Sequence, residues 1–204
     1  METVLEIHLP NLLDNFQAIK SKISPQTKVL AVVKAVAYGS SVPAITKCLE
    51  LAGVDYFAVA YVSEGVALRK AGIKTPILVL HPQIGNLEKA IQYDLEPSLY
   101  SFRILTAFSN IVQQNSIGKY PVHLKFNTGL NRLGFSEKEL EKLKKSFYQK
   151  DLKLVSIFSH LAATEDPKEK EFTKKQLEIF ARISSHFDAT PIRHVLNTSG
   201  ILNY

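Results

Sequence analysis

VLAVVKAVAYGSSVPAITKCLELAGVDYFAVA, residues 29–60, decides the fold. It opens on VLAVVKA (29–35), a continuous apolar run of the kind buried on both faces of a parallel sheet. A helix is predicted from about Val42 to Leu51, with Gly53 as its stop. YFAVA (56–60) then returns to the strand pattern. Strand, helix and strand in succession make a βα unit, and repeated units imply parallel pairing through right-handed crossovers.

The alternation extends in both directions. Upstream, VLEIHL (4–9) reads as a strand, and Leu12, Leu13, Phe16, Ile19 and Ile23 give helical spacing to the stretch Pro10–Lys22. Downstream, a helix begins at Ser63, a suitable N-cap, and ends near Gly72. Strands are predicted at 75–80, 95–99, 122–127, 154–159 and 192–196, with helices at 85–93, 102–114, 136–148 and 168–187. Pro97 places the 95–99 strand in an irregular or terminal role. Ser136 and Glu139 form a capping-box pattern. After the first strand this gives seven β units. An open doubly wound sheet and a closed eight-stranded barrel compete for such a pattern. No GxGxxG follows the first strand, which disfavours a dinucleotide fold, and the barrel is preferred.

Composition narrows the classes of function. Of 204 residues, 46% are hydrophobic and 22% charged, as in a globular domain able to bury a core. No apolar run approaches the roughly 20 residues of a membrane helix, and METVLEIHLP does not read as a secretory signal. The single Cys48 excludes an intrachain disulfide and suits a reducing cytoplasm. The net charge of +6 sits in mixed runs such as KLKKSFYQK and KEKEFTKK, which read as solvated helix faces rather than a nucleic-acid surface.

In a βα barrel the working residues sit where strands end. Four segments meet that rule. In AVVKAVAYG, Lys34 ends an apolar strand; a snorkelling lysine is the plain alternative to a Schiff-base lysine, and Tyr38 and Gly39 follow it. In HLKFNTGLNRLGF (123–135), Lys125 and Asn127 are predicted on one face of a strand, and Arg132 lies in a glycine-containing loop suited to a carboxylate or phenolate. In FSHLAAT, His160 follows a strand. In HVLNTSG, residues Asn197 to Gly200 form either a simple turn or a phosphate loop. His8, His81, His123, His186 and His194 share no metal-ligand spacing, and Glu64 and Asp166 make no evident acid/base pair.

Taken together, these segments resemble the alanine racemase family along essentially the whole chain. AVVKAVAYGS is similar to the cofactor-lysine motif KADAYG, and HLKFNTGLNRLGF to HLKxDTGMxRxG; FSHLAAT and HVLNTSG stand in the expected third and fourth places. The resemblance implies pyridoxal 5'-phosphate as cofactor, held covalently by Lys34, which also acts as one racemisation base. It implies Tyr38, Asn197 and Thr198 at the phosphate and His160 beside the pyridine ring. Arg132 would serve the phenolate and the substrate carboxylate, and Lys125 would match the supporting lysine that some members carbamoylate. It implies a cytoplasmic homodimer supplying D-alanine for peptidoglycan, acting on a small amino acid and on neither nucleic acid nor membrane. It further implies that residues 1–9 give a strand to a β-rich domain absent here and that 10–204 form a (β/α)8 barrel short of its eighth strand. By that reading the chain alone shows little or no activity.

Three departures stand out. Val36 replaces the usual Asp, with Ser40-Ser41 after the glycine; Asn127 replaces an Asp; and the chain stops at Tyr204. The competing readings are a non-catalytic pyridoxal-phosphate-binding barrel, a broad-specificity amino-acid racemase, and an interaction module suggested only by charge.

Overall fold

The computed structural model describes residues 3–148, 151–188 and 191–204. In chain order the elements are α1 (Leu9–Lys20), β1 (Leu30–Val32), the turn α2 (Lys34–Gly39), α3 (Val42–Leu51), β2 (Tyr56–Val59), α4 (Val62–Lys70), β3 (Ile77–Val79), α5 (Leu87–Gln92) and β4 (Glu96–Leu99). They continue with α6 (Phe102–Gln114), β5 (Tyr120–Lys125), α7 (Leu140–Tyr148), β6 (Leu152–Phe158), α8 (Lys170–Ser185), β7 (Ile192–His194) and α9 (Thr198–Asn203). The seven strands of the described residues stand where the seven apolar runs predict them. They fall into two compact units, 1–96 and 97–204.

In the first unit β1, β2 and β3 pair in parallel, Ala31 opposite Phe57 and Ala58 opposite Leu78. Phe57, Val59, Ile77 and Val79 are sealed from solvent and pack with Phe16, Leu49 and Leu68. The continuous apolar runs of β2 and β3 are explained by this burial on both faces, whereas β1 departs from the expectation: Leu30 and Ala31 are half-buried and Val32 is exposed. Arg69 stitches the loops of this unit. Its guanidinium donates to the carbonyls of Ile73 (2.9 Å), Thr75 (2.7 Å), Tyr93 (3.2 Å) and Asp94 (3.0 Å). Glu50 performs a complementary task, accepting from the backbone N–H groups of Lys74 (2.7 Å) and Thr75 (3.0 Å).

In the second unit β4, β5, β6 and β7 are again parallel. The β4 pairing with β5 runs through Ser98 and Leu99, so Pro97 holds a place near the strand's start, where its missing N–H does little harm. An aromatic core supports this sheet: Phe126 lies 6.3 Å from Phe135 and 5.9 Å from Phe187, and Phe102 meets Phe135 edge-on at 5.1 Å.

Some local expectations are corrected. Helix α4 begins at Val62, so Ser63 is inside the first turn and Tyr61 occupies the N-cap. Glu64, three residues on from Tyr61, reaches back to accept from the cap's own N–H at 2.9 Å, the glutamate half of a capping box. The Ser136–Glu139 box forms as predicted, although it opens a 3-10 turn leading into α7. Residues 3–8 join no strand ladder within the described chain.

Candidate functional site

Within the first unit the site is built around the end of β1. The strand is only three residues long because the backbone leaves extended geometry at Val33 and turns left-handed after Lys34. Ala35, Val36, Ala37 and Tyr38 all take left-handed conformations, with φ between 49° and 58°, and Gly39 follows at 84°. Each L-residue there costs roughly 1–2 kcal/mol, so an entire left-handed turn is held by its surroundings. Ala37 N–H donates to Val33 O at 3.1 Å and Ser40 N–H to Val36 O at 2.9 Å. Ala37 is buried, whereas Val36 and Tyr38 are exposed. Lys34 stands at the entrance of this turn, half-buried, and no ion pair or hydrogen bond engages its amine among the described residues. Glu64 does not neutralise it. The Glu64 carboxylate accepts from the backbone N–H groups of Ala35 (2.6 Å), Ala60 (2.7 Å) and Tyr61 (2.9 Å).

Within the second unit β5 presents His123 and Lys125 on one face, both buried. Register sets His123 beside Ser156 and Lys125 beside Phe158; the next strand brings His194 to Phe158. A polar line results. His123 Nδ1 lies 2.6 Å from Ser156 Oγ, which lies 3.1 Å from His194 Nε2. The serine's one proton can go to one ring while its oxygen accepts from the other. His194 stacks flat on Phe158, with centroids 4.8 Å apart and planes within 5°. Burial, reinforced by the nearby His123, pushes the His194 imidazole down to about 3. Lys125 Nζ sits 5.5 Å from the centroid of Phe158, a cation–π contact.

The strand ends at Lys125, which corrects the expected shared face of Lys125 and Asn127. Asn127 belongs to the following loop. Its Oδ1 accepts from Gly129 N–H (3.1 Å) and Asn131 N–H (3.0 Å), and its Nδ2 donates to Asn131 Oδ1 (3.0 Å). An asparagine therefore shapes the loop by side-chain mimicry of a turn. Phe126 and Phe135 close the loop with paired backbone contacts, Asn127 N–H to Phe135 O and Phe135 N–H to Lys125 O, each 2.9 Å. Gly134, with φ of 126°, makes that closure possible, since a Cβ would fall 2.6 Å from the Phe126 carbonyl carbon. Arg132 projects from the loop, exposed, with no ion pair or hydrogen bond among the described residues.

His160 follows β6 and is exposed; its carbonyl accepts from Gln176 Nε2 at 3.5 Å. Asn197 caps α9. Its Oδ1 accepts from Gly200 N–H (2.9 Å), Ser199 Oγ (3.2 Å) and Thr164 Oγ1 (2.7 Å). Thr198 is exposed beside it, and Thr164 and Ser199 are in hydroxyl contact. Each unit thus gathers its own predicted residues: Lys34 and Tyr38 in one, Lys125, Arg132, His160, Asn197 and Thr198 in the other. Sequence reasoning passed over Glu64, Thr164 and the His123–Ser156–His194 line. Only Glu64 left a usable trace, a glutamate at the third position of a helix that follows a strand.

Comparison with known proteins shows the family and fold to which the chain is similar. The sequence pattern described as "Alanine racemase, N-terminal domain" matches residues 7–204. A relative named alanine racemase from Thermodesulfovibrio yellowstonii is 35% identical over 205 residues, covering 98% of this chain and 54% of the relative. Among solved structures, an alanine racemase of Clostridium difficile 630 superposes with a TM-score of 0.91 at 30% identity, covering 98% of this chain and 55% of that one. An alanine racemase from Bartonella henselae, described with covalently bound pyridoxal phosphate, gives 0.87 at 28% identity, covering 97% and 57%. The chain therefore spans about half the length of the relatives it matches.

Proposed function

Because the chain belongs to the family of the alanine racemase N-terminal domain, we propose that it is the cofactor-bearing part of an amino-acid racemase that interconverts L- and D-alanine. One observation carries the proposal: Lys34, half-buried at the end of β1, has no ion-pair partner among the described residues, while the carboxylate of Glu64 is taken up by three backbone N–H groups. An amine so placed suits condensation with an aldehyde.

The side chains present in each unit have the chemistry that pyridoxal 5'-phosphate requires. Lys34 Nζ would anchor it covalently. In the first unit the exposed phenol of Tyr38, and in the second Asn197 and Thr198 at the start of α9, are the hydroxyl and amide groups that the family resemblance would assign to the phosphate. His160 would lie against the pyridine ring. Arg132, free of carboxylates among the described residues, would receive the substrate carboxylate and the phenolate, with Lys125 as its support. When bound, the cofactor supplies an electron sink for negative charge at the substrate's α-carbon.

Lys34 Nζ would move the proton on one face of that carbon. Inversion needs a second base on the opposite face, which family resemblance assigns to a tyrosine of the β-rich domain in a partner subunit. In keeping with that, we propose that the part of residues 1–9 ahead of α1 is lent as a strand to the β-rich domain and that 10–204 belong to the barrel. The assembly is proposed as a cytoplasmic homodimer supplying D-alanine for peptidoglycan.

Absorbance spectroscopy with added pyridoxal phosphate tests the reading. A visible band should form with the wild-type chain and disappear in Lys34→Ala. A band of equal size in Lys34→Ala, or none in either protein, overturns the assignment.

A further inference from the structure

We infer that Glu64 is the positioning residue for Lys34, fixing the peptide that follows the lysine and so the direction from which its amine approaches the cofactor. The inference rests on Lys34 being the cofactor lysine. It starts from an unfinished strand ladder. Val33 N–H donates to Ala58 O at 2.9 Å, and two residues later the same ladder would bring Ala35 N–H to Ala60 O. That carbonyl instead accepts from His81 N–H at 2.9 Å. Ala35 N–H is left without its ladder partner, and Glu64 Oε1 takes the place at 2.6 Å.

The two carboxylate oxygens divide the labour. Oε2 holds Ala60 and Tyr61, which a helix cap explains. Oε1 reaches 29 residues back to Ala35, which no helix requires. The bond falls on the first of four consecutive left-handed residues, so it acts where the backbone departs from its preferred regions. With Val33 O accepting from Ala37 N–H at 3.1 Å and Ala35 N–H donating to Glu64, both peptides flanking Lys34 are fixed. The lysine's long side chain then starts from a rigid Cα, and Tyr38 is carried by the same turn.

Glu64→Ala removes both functions, so the cap must be restored separately. Tyr61→Ser places a capping hydroxyl at the N-cap of α4. Combined with Glu64→Ala, it caps other N–H groups of the first turn in compensation and should raise the melting temperature above that of Glu64→Ala alone while leaving Ala35 unpartnered. Two readouts are followed in this chain. Hydrogen–deuterium exchange across 34–40, without cofactor, should be faster in Glu64→Ala and remain fast in the double variant. Apparent affinity for pyridoxal phosphate, read from the Lys34-dependent band, should fall about tenfold in both, as expected for a lost charge-assisted hydrogen bond.

If the double variant regains affinity along with its melting temperature, Glu64 is only a cap and the inference is overturned. The same holds if Glu64→Ala keeps its affinity within about twofold. A wild-type chain with no Lys34-dependent band overturns the cofactor reading instead. In that event the exchange data still decide whether Glu64 holds the turn, and unchanged exchange in Glu64→Ala defeats that too.

Discussion

At the scale of single residues, Val36 shows how a departure from family pattern acquires a physical meaning. It is β-branched, 60% exposed and left-handed, with φ of 56° and ψ of 44°. Asparagine and aspartate tolerate this region far better, because their short polar side chains bond locally. Val36→Asn should therefore stabilise the chain by about 1 kcal/mol, seen as a higher urea midpoint with an unchanged slope. A lower midpoint would mean that Val36 makes contacts worth more than its strain. The placement of Lys34, Arg132 and Asn197 in the segments that follow β1, β5 and β7 was legible in the sequence, because the strands that precede them read as apolar runs. Glu64 was not, because its partner Ala35 lies 29 residues away and offers only a backbone N–H. No side-chain pattern records such a contact.

At the scale of elements, most boundaries were legible from apolar runs, since a parallel strand buried on both faces has little choice of residue. The errors came where a side chain replaced a backbone partner. VLAVVKA reads as seven strand residues, yet only Leu30–Val32 pair as a strand, because the backbone turns left-handed after Lys34. Glu50 shows the same device joining elements, here the end of α3 to the approach of β3. Burial raises its pKa, but hydrogen bonds from Thr75 N–H, Lys74 N–H, Lys47 and the Thr75 hydroxyl outweigh this and bring it down to about 2. The carboxylate is thus bound more tightly in the folded state than in the unfolded one. Its contribution is full above the ordinary value of 4.5 and disappears as pH falls through about 2. Glu50→Gln should lose about 1–3 kcal/mol at pH 7, and the two proteins should converge as pH falls through that window. Equal urea midpoints at pH 7 would show that the amide serves the Lys74–Thr75 backbone equally well.

At the scale of the whole molecule, the alternation of apolar runs and amphipathic stretches was enough to identify a repeated βα architecture, because the inner strands β2 to β5 obey the same burial rule. What alternation does not reveal is polar chemistry placed inside the sheet. His123, Ser156 and His194 belong to three strands, and only register aligns them. This line links stability to pH. His194 is held neutral in the folded chain, its pKa pushed from 6.5 to about 3 by burial and by His123. Between those values the unfolded chain takes up a proton that the folded chain refuses. Stability is consequently intact above pH 6.5 and falls as pH drops toward 3, by up to about 1.4 kcal/mol for each pH unit within the window. His194→Gln keeps a polar group near Ser156 but has nothing to titrate. Its stability should depend less steeply on pH across this range, by as much as one proton. Urea unfolding at pH 7, 6, 5 and 4 measures that slope, and histidine NMR should find the His194 ring still neutral at pH 5. Parallel stability curves for the two proteins, or a His194 ring that titrates near its ordinary value, would show that water reaches the line and that His194 is not held neutral by burial.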